Sequence, residues 1–365
     1  MLDSGRLMEL MHQEIVANGG WLGFDRFMAL ALYAPGLGYY AHGSRKFGQL
    51  PSSGSDFVTA PELSPLFAKA LAVQLRQALE VTGTRTLWEF GAGSGALAAG
   101  LLAALGDQVQ HYTIVDLSGS LRARQQELLQ PWVAKVNWVN ELPAEMRGVV
   151  IGNEVLDAMP VSLLQRTGGQ WHERGVCLSE GELAWQDQPT AMRPPVEVAG
   201  EHDYLTEVHP QADAFIRTLA DRLVQGAAFF VDYGFPESEY YHPQRHMGTL
   251  MCHQAHLADG DPLLAVGDKD ITAHVNFSGV AVAGQDAGVN VLGYTTQARF
   301  LLNCGMAALL EQASFTERVN AQKLWMEHEM GELFKVIALG VGGEGTAGEA
   351  WEPLGFAEGD RTHRL

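Results

Sequence analysis

The chain contains the run Thr86-Leu87-Trp88-Glu89-Phe90-Gly91-Ala92-Gly93-Ser94-Gly95-Ala96-Leu97-Ala98, in which three alternating glycines separate a short apolar stretch from an alanine-rich one. Glycine permits sharp turns and lets a backbone approach a ligand closely. A helix that follows such a turn presents unpaired N–H groups and the positive end of its dipole. The run therefore predicts a strand, a tight turn and a helix that bind a nucleotide-like cofactor.

The glycine pattern leaves two cofactors open. The three glycines form G-x-G-x-G, whereas Gly91, Gly93 and Ala96 also fit the G-x-G-x-x-G/A fingerprint of NAD-binding proteins. Asp116 ends the next predicted strand, where a carboxylate binds a ribose diol in either case. Glu89 favours S-adenosylmethionine (SAM), because a negative charge suits a sulfonium and an ammonium better than a pyrophosphate.

Strands and helices alternate after residue 84, which predicts an α/β fold with a doubly wound, mostly parallel, Rossmann-like sheet. Ligands then bind at the carboxyl ends of the strands. The predicted strands are Thr86–Phe90, His111–Asp116, Val136–Val139, Val149–Gly152 and Ala227–Asp232. The predicted helices between them are Ala96–Leu105, Ser120–Gln130 and Ala212–Val224.

The rest of the chain predicts additions to this core, which we place at residues 84–365. Residues 1–83 are predicted to form a helical cap, with Thr59 capping a helix that runs on to Glu80 and Glu62 completing a capping box. Residues 161–200 predict inserted antiparallel strands, and residues 235–267 a lid-like loop. Beyond the loop we predict helices at Ile271–Ala287, Gln297–Asn303 and Ala313–Met330, and strands at Val289–Gly293 and Phe334–Leu339.

The segment Asn153-Glu154-Val155-Leu156-Asp157-Ala158-Met159-Pro160 follows a predicted buried strand at the edge where this fold class performs its chemistry. Asn153 is a candidate cofactor-binding residue, and Glu154 and Asp157 are candidate catalytic residues. If the segment is helical, the two carboxylates share a face. The alternative interpretation is a solvated turn in which Asn153 caps a helix.

Asn140 and Glu141 follow the third predicted strand and could hydrogen-bond an adenine edge, with Trp138 packing against it. Ordinary core and cap roles explain these residues equally well.

The composition excludes several classes of protein. A net charge of −19 is unfavourable for general nucleic-acid binding, which requires a basic surface. No run of about 18 apolar residues predicts a membrane span. The N-terminus matches neither a signal nor a transit peptide, and the three cysteines are widely spaced, so we expect a cytoplasmic protein. The sequence does not indicate an oligomeric state.

Four histidines lie in the loop from residue 242 to residue 256, at positions 242, 246, 253 and 256. Their spacing matches no recognised metal-ligand pattern. We therefore predict no metal site and expect a substrate-facing lid or a structural hydrogen-bond network.

Several segments, in this order, resemble the MidA family of class I SAM-dependent methyltransferases. They cover most of the chain: Phe27-Met28, 34–40, 56–67, 89–95, 153–160, 231–234, 248–250, 270–275, Thr296-Gln297 and Phe300-Leu301. The resemblance implies a methyltransferase fold, SAM as cofactor, and a cofactor site that includes Thr59, Pro61 and Glu62. Because the family includes a mitochondrial complex I assembly factor thought to methylate arginine, the resemblance also implies an arginine acceptor and an assembly role.

An arginine acceptor is always protonated and is a poor nucleophile. Glu154 and Asp157 could grip its guanidinium group and align one nitrogen with the methyl group. The cap and the inserted strands are expected to cover the crevice, which favours a protein substrate. The rival hypotheses are a NAD-dependent oxidoreductase and a non-catalytic scaffold that retains the cofactor pocket.

Overall fold

The computed structural model describes residues 2–41, 59–116, 119–254, 257–341 and 351–365. Asp56, Phe57 and Val58 of the family motif and His256 of the histidine-containing loop lie outside this range. The α/β fold with a mostly parallel sheet is confirmed.

The strands, numbered in chain order, are β1 (Trp21–Gly23), β2 (Thr86–Phe90), β3 (His111–Val115), β4 (Val136–Val139), β5 (Met146–Asn153), β6 (Ser162–Thr167), β7 (Gln170–Ser179), β8 (Glu182–Pro189), β9 (Tyr204–Val208), β10 (Leu223–Phe235), β11 (Met251–Gln254), β12 (Leu257–Asp259), β13 (Asp270–Thr272), β14 (Val275–Asn276), β15 (Asn290–Thr296) and β16 (Phe334–Gly340). The helices are α1 (Leu2–Ala17), α2 (Phe24–Tyr33), α3 (Ala60–Leu63), α4 (Pro65–Thr82), α5 (Ala96–Leu105), α6 (Gly119–Leu128), α7 (Pro210–Arg222), α8 (Glu237–Tyr240), α9 (Phe277–Asp286), α10 (Gln297–Asn303), α11 (Met306–Gln312) and α12 (Phe315–Trp325).

The central sheet has the strand order β15-β16-β10-β5-β2-β3-β4, and β14 pairs with the end of β10. The pairs from β10 to β4 are parallel, whereas β16 runs antiparallel to both of its neighbours. The carboxyl ends of β2, β3, β4, β5 and β10 therefore meet at one edge of the sheet. The predicted site residues that belong to the core domain, residues 84–365, all lie at this edge.

Both faces of the central sheet are covered, as a doubly wound fold requires. Alternate residues of β10 point to opposite sides, so Phe229 belongs to one apolar cluster and Phe230 to the other. The first cluster includes residues of α4, α5 and α12, and the second includes residues of α7 and α9. The strands are mostly apolar on both faces because helices cover each face of the sheet.

A second, fully antiparallel sheet contains β1, β7, β6 and β9 in that order, with β8 paired to β7. The strands expected after Pro160 are present, but the sheet also recruits Trp21–Gly23 from the N-terminal segment and Tyr204–Val208. Apolar side chains of α1 and α2, including Leu7, Met11 and Phe27, pack with it. Strand β1 has three residues, which are too few to show the periodicity from which a strand is predicted.

Three predicted helices are wrong in extent. Ile271–Ala287 begins as the strands β13 and β14, and helix α9 starts only after Asn276, whose side chain accepts a bond from the Gly279 N–H group. The expected helix from Thr59 to Glu80 is divided in two, because Ser64 is extended and caps α4. Thr59 makes no side-chain capping bond, so the predicted capping box is absent.

The third helix, predicted for Ala313–Met330, ends at Trp325 and is followed by a separate turn at Glu327–Gly331. Glu329 has φ −116° and ψ −135°, which is incompatible with a continuous helix. Within the described part of the chain, no helix is both long and apolar enough to cross a membrane.

Candidate functional site

The glycine turn lies between β2 and α5, as expected. Gly91, Gly93 and Gly95 have φ values of 61°, 53° and 86°, in the left-handed region that residues with a Cβ atom disfavour. Gly95 is the residue before α5 and supplies no side-chain cap, so the first N–H groups of the helix have no capping side chain. The turn therefore offers a close backbone approach and free helix-terminal donors to a ligand.

Gln125 of α6 holds this turn against the neighbouring strand ends. Its side-chain amide is fully buried and donates to the carbonyl oxygen of Gly93 at 2.9 Å and to Oδ2 of Asp116 at 2.8 Å. Its Oε1 accepts a bond from the indole N–H of Trp138 at 2.9 Å. One glutamine thus fixes the turn, the end of β3 and the end of β4. The sequence analysis did not identify Gln125 as a site residue, because a single glutamine in a polar helix forms no recognisable motif.

Glu89 is almost completely buried beneath the turn. The hydroxyl of Tyr112 donates to its Oε2 at 2.7 Å. Burial raises the pKa of Glu89 to about 8, an effect that this hydrogen bond opposes and the charge of Asp116 reinforces. Glu89 is therefore mostly protonated at pH 7 in the free protein. A cationic ligand nearby would favour its ionised form.

Helix α3 begins directly after Thr59 and contains Pro61 and Glu62. Ser94 of the glycine turn hydrogen-bonds the Glu62 side chain, and burial raises the pKa of that carboxyl. The backbone N–H group of Ala60 donates to the carboxyl of Glu154. This short helix therefore links the glycine turn to the acidic segment that follows β5.

Asn140 and Glu141 lie just after β4 and are exposed. The Asn140 amide oxygen accepts a long bond of 3.5 Å from Arg122. Trp138 is half-buried, with its indole N–H group engaged by Gln125. An adenine contact by Asn140 and Glu141 stays a prediction.

The segment after β5 is a turn, so the helical interpretation, in which Glu154 and Asp157 would share a face, is wrong. Glu154 has φ 54°, a left-handed conformation that breaks a helix. Its N–H group donates to the Val231 carbonyl at 2.9 Å, and the Asn153 amide donates to its Oε1 at 3.0 Å. The strain places the Glu154 side chain at the strand end. Such outliers are concentrated at functional sites.

Asp232, at the end of β10, stabilises this turn. Its Oδ2 accepts bonds from the backbone N–H groups of Val155, Leu156 and Asp157 at 3.1, 2.9 and 3.2 Å. Its Oδ1 accepts a bond from the Tyr233 N–H group at 2.9 Å. Asp232 is 1% exposed, so it acts from inside the protein.

Burial also shifts the two candidate catalytic carboxyls. Burial and, to a smaller extent, the nearby charge of Asp157 together raise the pKa of Glu154 to about 8. Burial raises the pKa of Asp157 to about 6, opposed by a hydrogen bond from the Tyr233 side chain. Asp232 belongs to the same cluster, because burial and then the charges of Asp157 and Glu154 raise its pKa well above the usual range, so the three carboxyls titrate as a coupled group.

Two tyrosines from the N-terminal segment border the same region. The Tyr33 hydroxyl donates to the Ala158 carbonyl at 2.8 Å, and the Tyr40 hydroxyl donates to Asp270 Oδ1 at 2.8 Å. Their rings stack with centroids 5.6 Å apart. Burial raises the pKa of Tyr33, and the charges of Asp270 and Asp157 raise it further, so aromatic rings and carboxylates adjoin here.

Two buried oxygens at this edge have no hydrogen-bond partner among the described residues, namely Oδ1 of Asn153 and Oδ1 of Asp157. Unpaired buried acceptors are costly and rare. Together with the glycine cradle and the Asp116 carboxylate, the Asn153 oxygen fits a cofactor that carries N–H and hydroxyl donors. A methionine ammonium and a ribose are such groups.

The histidine-containing loop forms a small sheet, in which β11 pairs with β12 and β13. In the part of the chain described, His, Cys, Asp and Glu side chains form no group of three that could hold a metal ion. His202 and His246 are neighbours, with ring centroids 6.1 Å apart.

Comparison with known proteins identifies the cofactor. Residues 67–295 match the model of the family described as "Putative S-adenosyl-L-methionine-dependent methyltransferase". The crystal structure of a Burkholderia thailandensis protein bound to S-adenosyl-homocysteine superposes with a TM-score of 0.94 at 49% identity, over 100% of this chain and 97% of that one. A second structure from the same organism gives a TM-score of 0.90 at 47% identity, with the same coverage.

More distant relatives have names that specify an acceptor. The mitochondrial protein arginine methyltransferase NDUFAF7 of Danio rerio is 27% identical over 343 residues, which cover 84% of this chain and 78% of the relative. A Caenorhabditis elegans homologue of the same name is 27% identical over 316 residues, with 77% and 72% covered. The resemblance to the MidA family and the preference for SAM over NAD are confirmed.

Proposed function

The chain belongs to the S-adenosyl-L-methionine-dependent methyltransferases, and we propose that it methylates an arginine side chain of a protein. The observation that carries the proposal is the pair of carboxyls, of buried Asp157 and half-buried Glu154, on the strained turn after β5. Asp157 keeps one oxygen without a partner in the described chain. A guanidinium group supplies the paired N–H donors that two carboxylates bind.

Acceptor binding would change the protonation of this pair. In the free protein Glu154 is mostly protonated at pH 7, because its pKa is about 8. A guanidinium cation between Glu154 and Asp157 lowers both pKa values, since opposite charge favours the ionised forms. Glu154 therefore releases its proton when the acceptor binds, and two carboxylates then face one delocalised cation.

Bound SAM supplies a methyl group on a positively charged sulfur. The task of the protein is to align one guanidinium nitrogen with that methyl group and to accept the proton that this nitrogen loses. Glu154, ionised in the acceptor complex, is placed to take that proton. Asp232 contributes indirectly by fixing the backbone of residues 155–157.

The names of the relatives support arginine as the acceptor, because those at about 27% identity are called protein arginine methyltransferases. The second sheet and the stacked Tyr33 and Tyr40 beside the crevice support a macromolecular acceptor. Thr59, Pro61, Glu62, Glu89, Asp116, Asn140, Glu141, Asn153 and the three turn glycines are proposed cofactor contacts. The cytoplasmic location and the assembly role stay predictions.

The test is methyl labelling of a bacterial cell extract by the purified protein with isotope-labelled SAM, followed by mass spectrometry of labelled peptides. We expect label on arginine, and we expect Glu154→Gln to abolish it while SAM still binds in calorimetry. Glu180→Gln is the matched control, because Glu180 has the same φ of 54° in an unrelated turn.

Label on another residue type would refute the arginine acceptor and keep the methyltransferase. SAM binding with no labelled product in any extract would favour the scaffold hypothesis. Unchanged turnover in Glu154→Gln would remove Glu154 from the proposed mechanism.

A further inference from the structure

A cavity of about 290 Å³ lies beside the end of β10, between α8, β15, β16 and the residues near the C-terminus. Its wall contains the side chains of Phe235, Tyr294 and Leu333, three cations, Lys335, Arg361 and Arg364, and three carboxylates, Glu239, Glu332 and the exposed Glu327. None of them belongs to the proposed cofactor or acceptor site. The volume is close to the lower limit of small-molecule pockets.

Tyr294 contributes a buried hydroxyl that has no hydrogen-bond partner among the described residues. The residue is 1% exposed, and burial raises the pKa of its phenol. The charged groups that act on this hydroxyl, including Glu239, Arg361 and Arg364, line the same cavity. The hydroxyl is therefore on the cavity side of the ring. A buried hydroxyl without an acceptor is unfavourable unless a ligand or a water satisfies it.

Lys335 places a second donor in the cavity wall. It is 6% exposed, and its Nζ donates to the carbonyl oxygens of Glu332 and Leu333. An ammonium group has three N–H donors, so one is left over. Within the described chain Lys335 forms no ion pair, and burial lowers its pKa to about 8. A buried, unpaired ammonium favours an anionic partner.

The two arginines of the cavity are already neutralised. Arg361 pairs with Glu332, with Nη1 and Oε1 2.6 Å apart, and Arg364 pairs with Glu239. Lys335 is thus the positive charge in this wall that has no carboxylate partner among the described residues. Phe235 and Leu333 provide an apolar surface beside it, and Nζ of Lys335 lies 6.0 Å from the Phe235 ring centroid.

We propose that this cavity binds a carboxylate group attached to an apolar body, with the Tyr294 hydroxyl and the Lys335 ammonium donating to the carboxylate oxygens. The source of the carboxylate is either a free small acid or an acidic side chain of a bound protein. Both present the same two acceptor oxygens.

The test is isothermal titration of the protein, saturated with S-adenosyl-homocysteine so that the cofactor crevice is filled. One arm uses benzoate, and the other uses a blocked glutamyl tripeptide with neutral termini. We expect saturable binding of at least one probe, weakened about tenfold in Tyr294→Phe because a hydrogen bond to a charged group is lost. Tighter binding of benzoate identifies a free acid as the source, and tighter binding of the peptide identifies an acidic side chain.

Tyr241→Phe is the matched control, because this buried hydroxyl donates to the Glu207 carbonyl outside the cavity. It should leave probe binding unchanged. Tyr294→Phe should not lower the melting temperature, since it removes a hydroxyl that has no partner in the described chain, and Lys335→Met should abolish binding. The proposal is overturned if neither probe binds, or if both bind equally well to wild type, Tyr294→Phe and Lys335→Met.

Discussion

Oδ2 of Asp232 lies 2.9 Å from the backbone nitrogen of Leu156, a contact that joins the ends of β10 and β5 across 76 residues of sequence. The same oxygen accepts bonds from the N–H groups of Val155 and Asp157. Three donors converging on one carboxylate oxygen compensate the strained backbone of Glu154. The positions of both proposed catalytic carboxyls therefore depend on a third carboxylate that contacts neither cofactor nor acceptor in our proposal.

Asp232→Asn should release this turn. The amide oxygen carries no full charge, and an N–H donor replaces one acceptor, so the expected loss is about 2–4 kcal/mol of unfolding free energy. Turnover should fall about 100-fold, since misplacement of the carboxyls by an ångström has that order of effect. Denaturant unfolding and initial rates measure the two losses. Asp221→Asn, on the exposed surface of α7, should change neither.

Activity should depend on pH through Glu154. Its pKa is raised to about 8 in the free protein, so below pH 8 a cationic acceptor must displace a proton before it binds. We expect kcat/KM for an arginine peptide to rise between pH 6 and pH 8 and to level off above. Steady-state rates across this range measure the profile. A profile that falls with pH would contradict cation binding at Glu154.

Gln125→Met should weaken SAM binding. The substitution keeps the length of the side chain and removes the bonds to Gly93, Asp116 and Trp138. Mutation of residues that orient the ligands of a metal site typically costs about 10- to 100-fold in affinity, and we expect the dissociation constant for SAM to rise by the same order in calorimetry. Gln126→Met, exposed on the same helix, is the control. Equal affinity in both variants would show that the turn holds its shape without Gln125.

The strands of the central sheet could be predicted from the sequence, because the residue patterns that indicate them are local. Thr86–Phe90 is an apolar run that ends in glycines, and such a run predicts a strand and a turn wherever it occurs. The glycine pattern alone did not distinguish SAM from NAD, and the choice of SAM depended on Glu89 and on the family resemblance. The position of Glu154 and Asp157 at the strand end was predictable for the same reason.

The conformation of that acidic segment was not predictable, because it is imposed from a distance. Nothing in residues 153–160 indicates that Asp232 will bind three of their N–H groups and hold Glu154 at φ 54°. The same holds for Gln125, whose role is created by the packing of α6 against the strand ends. Ile271–Ala287 was predicted as one helix because its apolar spacing suits a helix, whereas pairing of Val275 with Gly234 makes its first part a strand.

Alanine substitution of two glycines, one in the glycine turn and one outside it, distinguishes a loss of protein stability from a loss of SAM binding. Gly91 has φ 61°, and a Cβ atom at this position would lie 3.1 Å from Cγ2 of Val155, in the acidic segment across the crevice. Gly83 ends α4 with φ 63°, and a Cβ atom there would meet nothing. Gly91→Ala and Gly83→Ala therefore carry the same conformational cost, about 1–2 kcal/mol of unfolding free energy. Only Gly91→Ala also narrows the crevice and displaces Val155, so SAM affinity should fall at least tenfold in that variant alone.

Thermal unfolding and calorimetry with SAM measure the two effects. If both variants lose affinity equally, the loss reflects global destabilisation, and the turn is not the cofactor cradle that we propose.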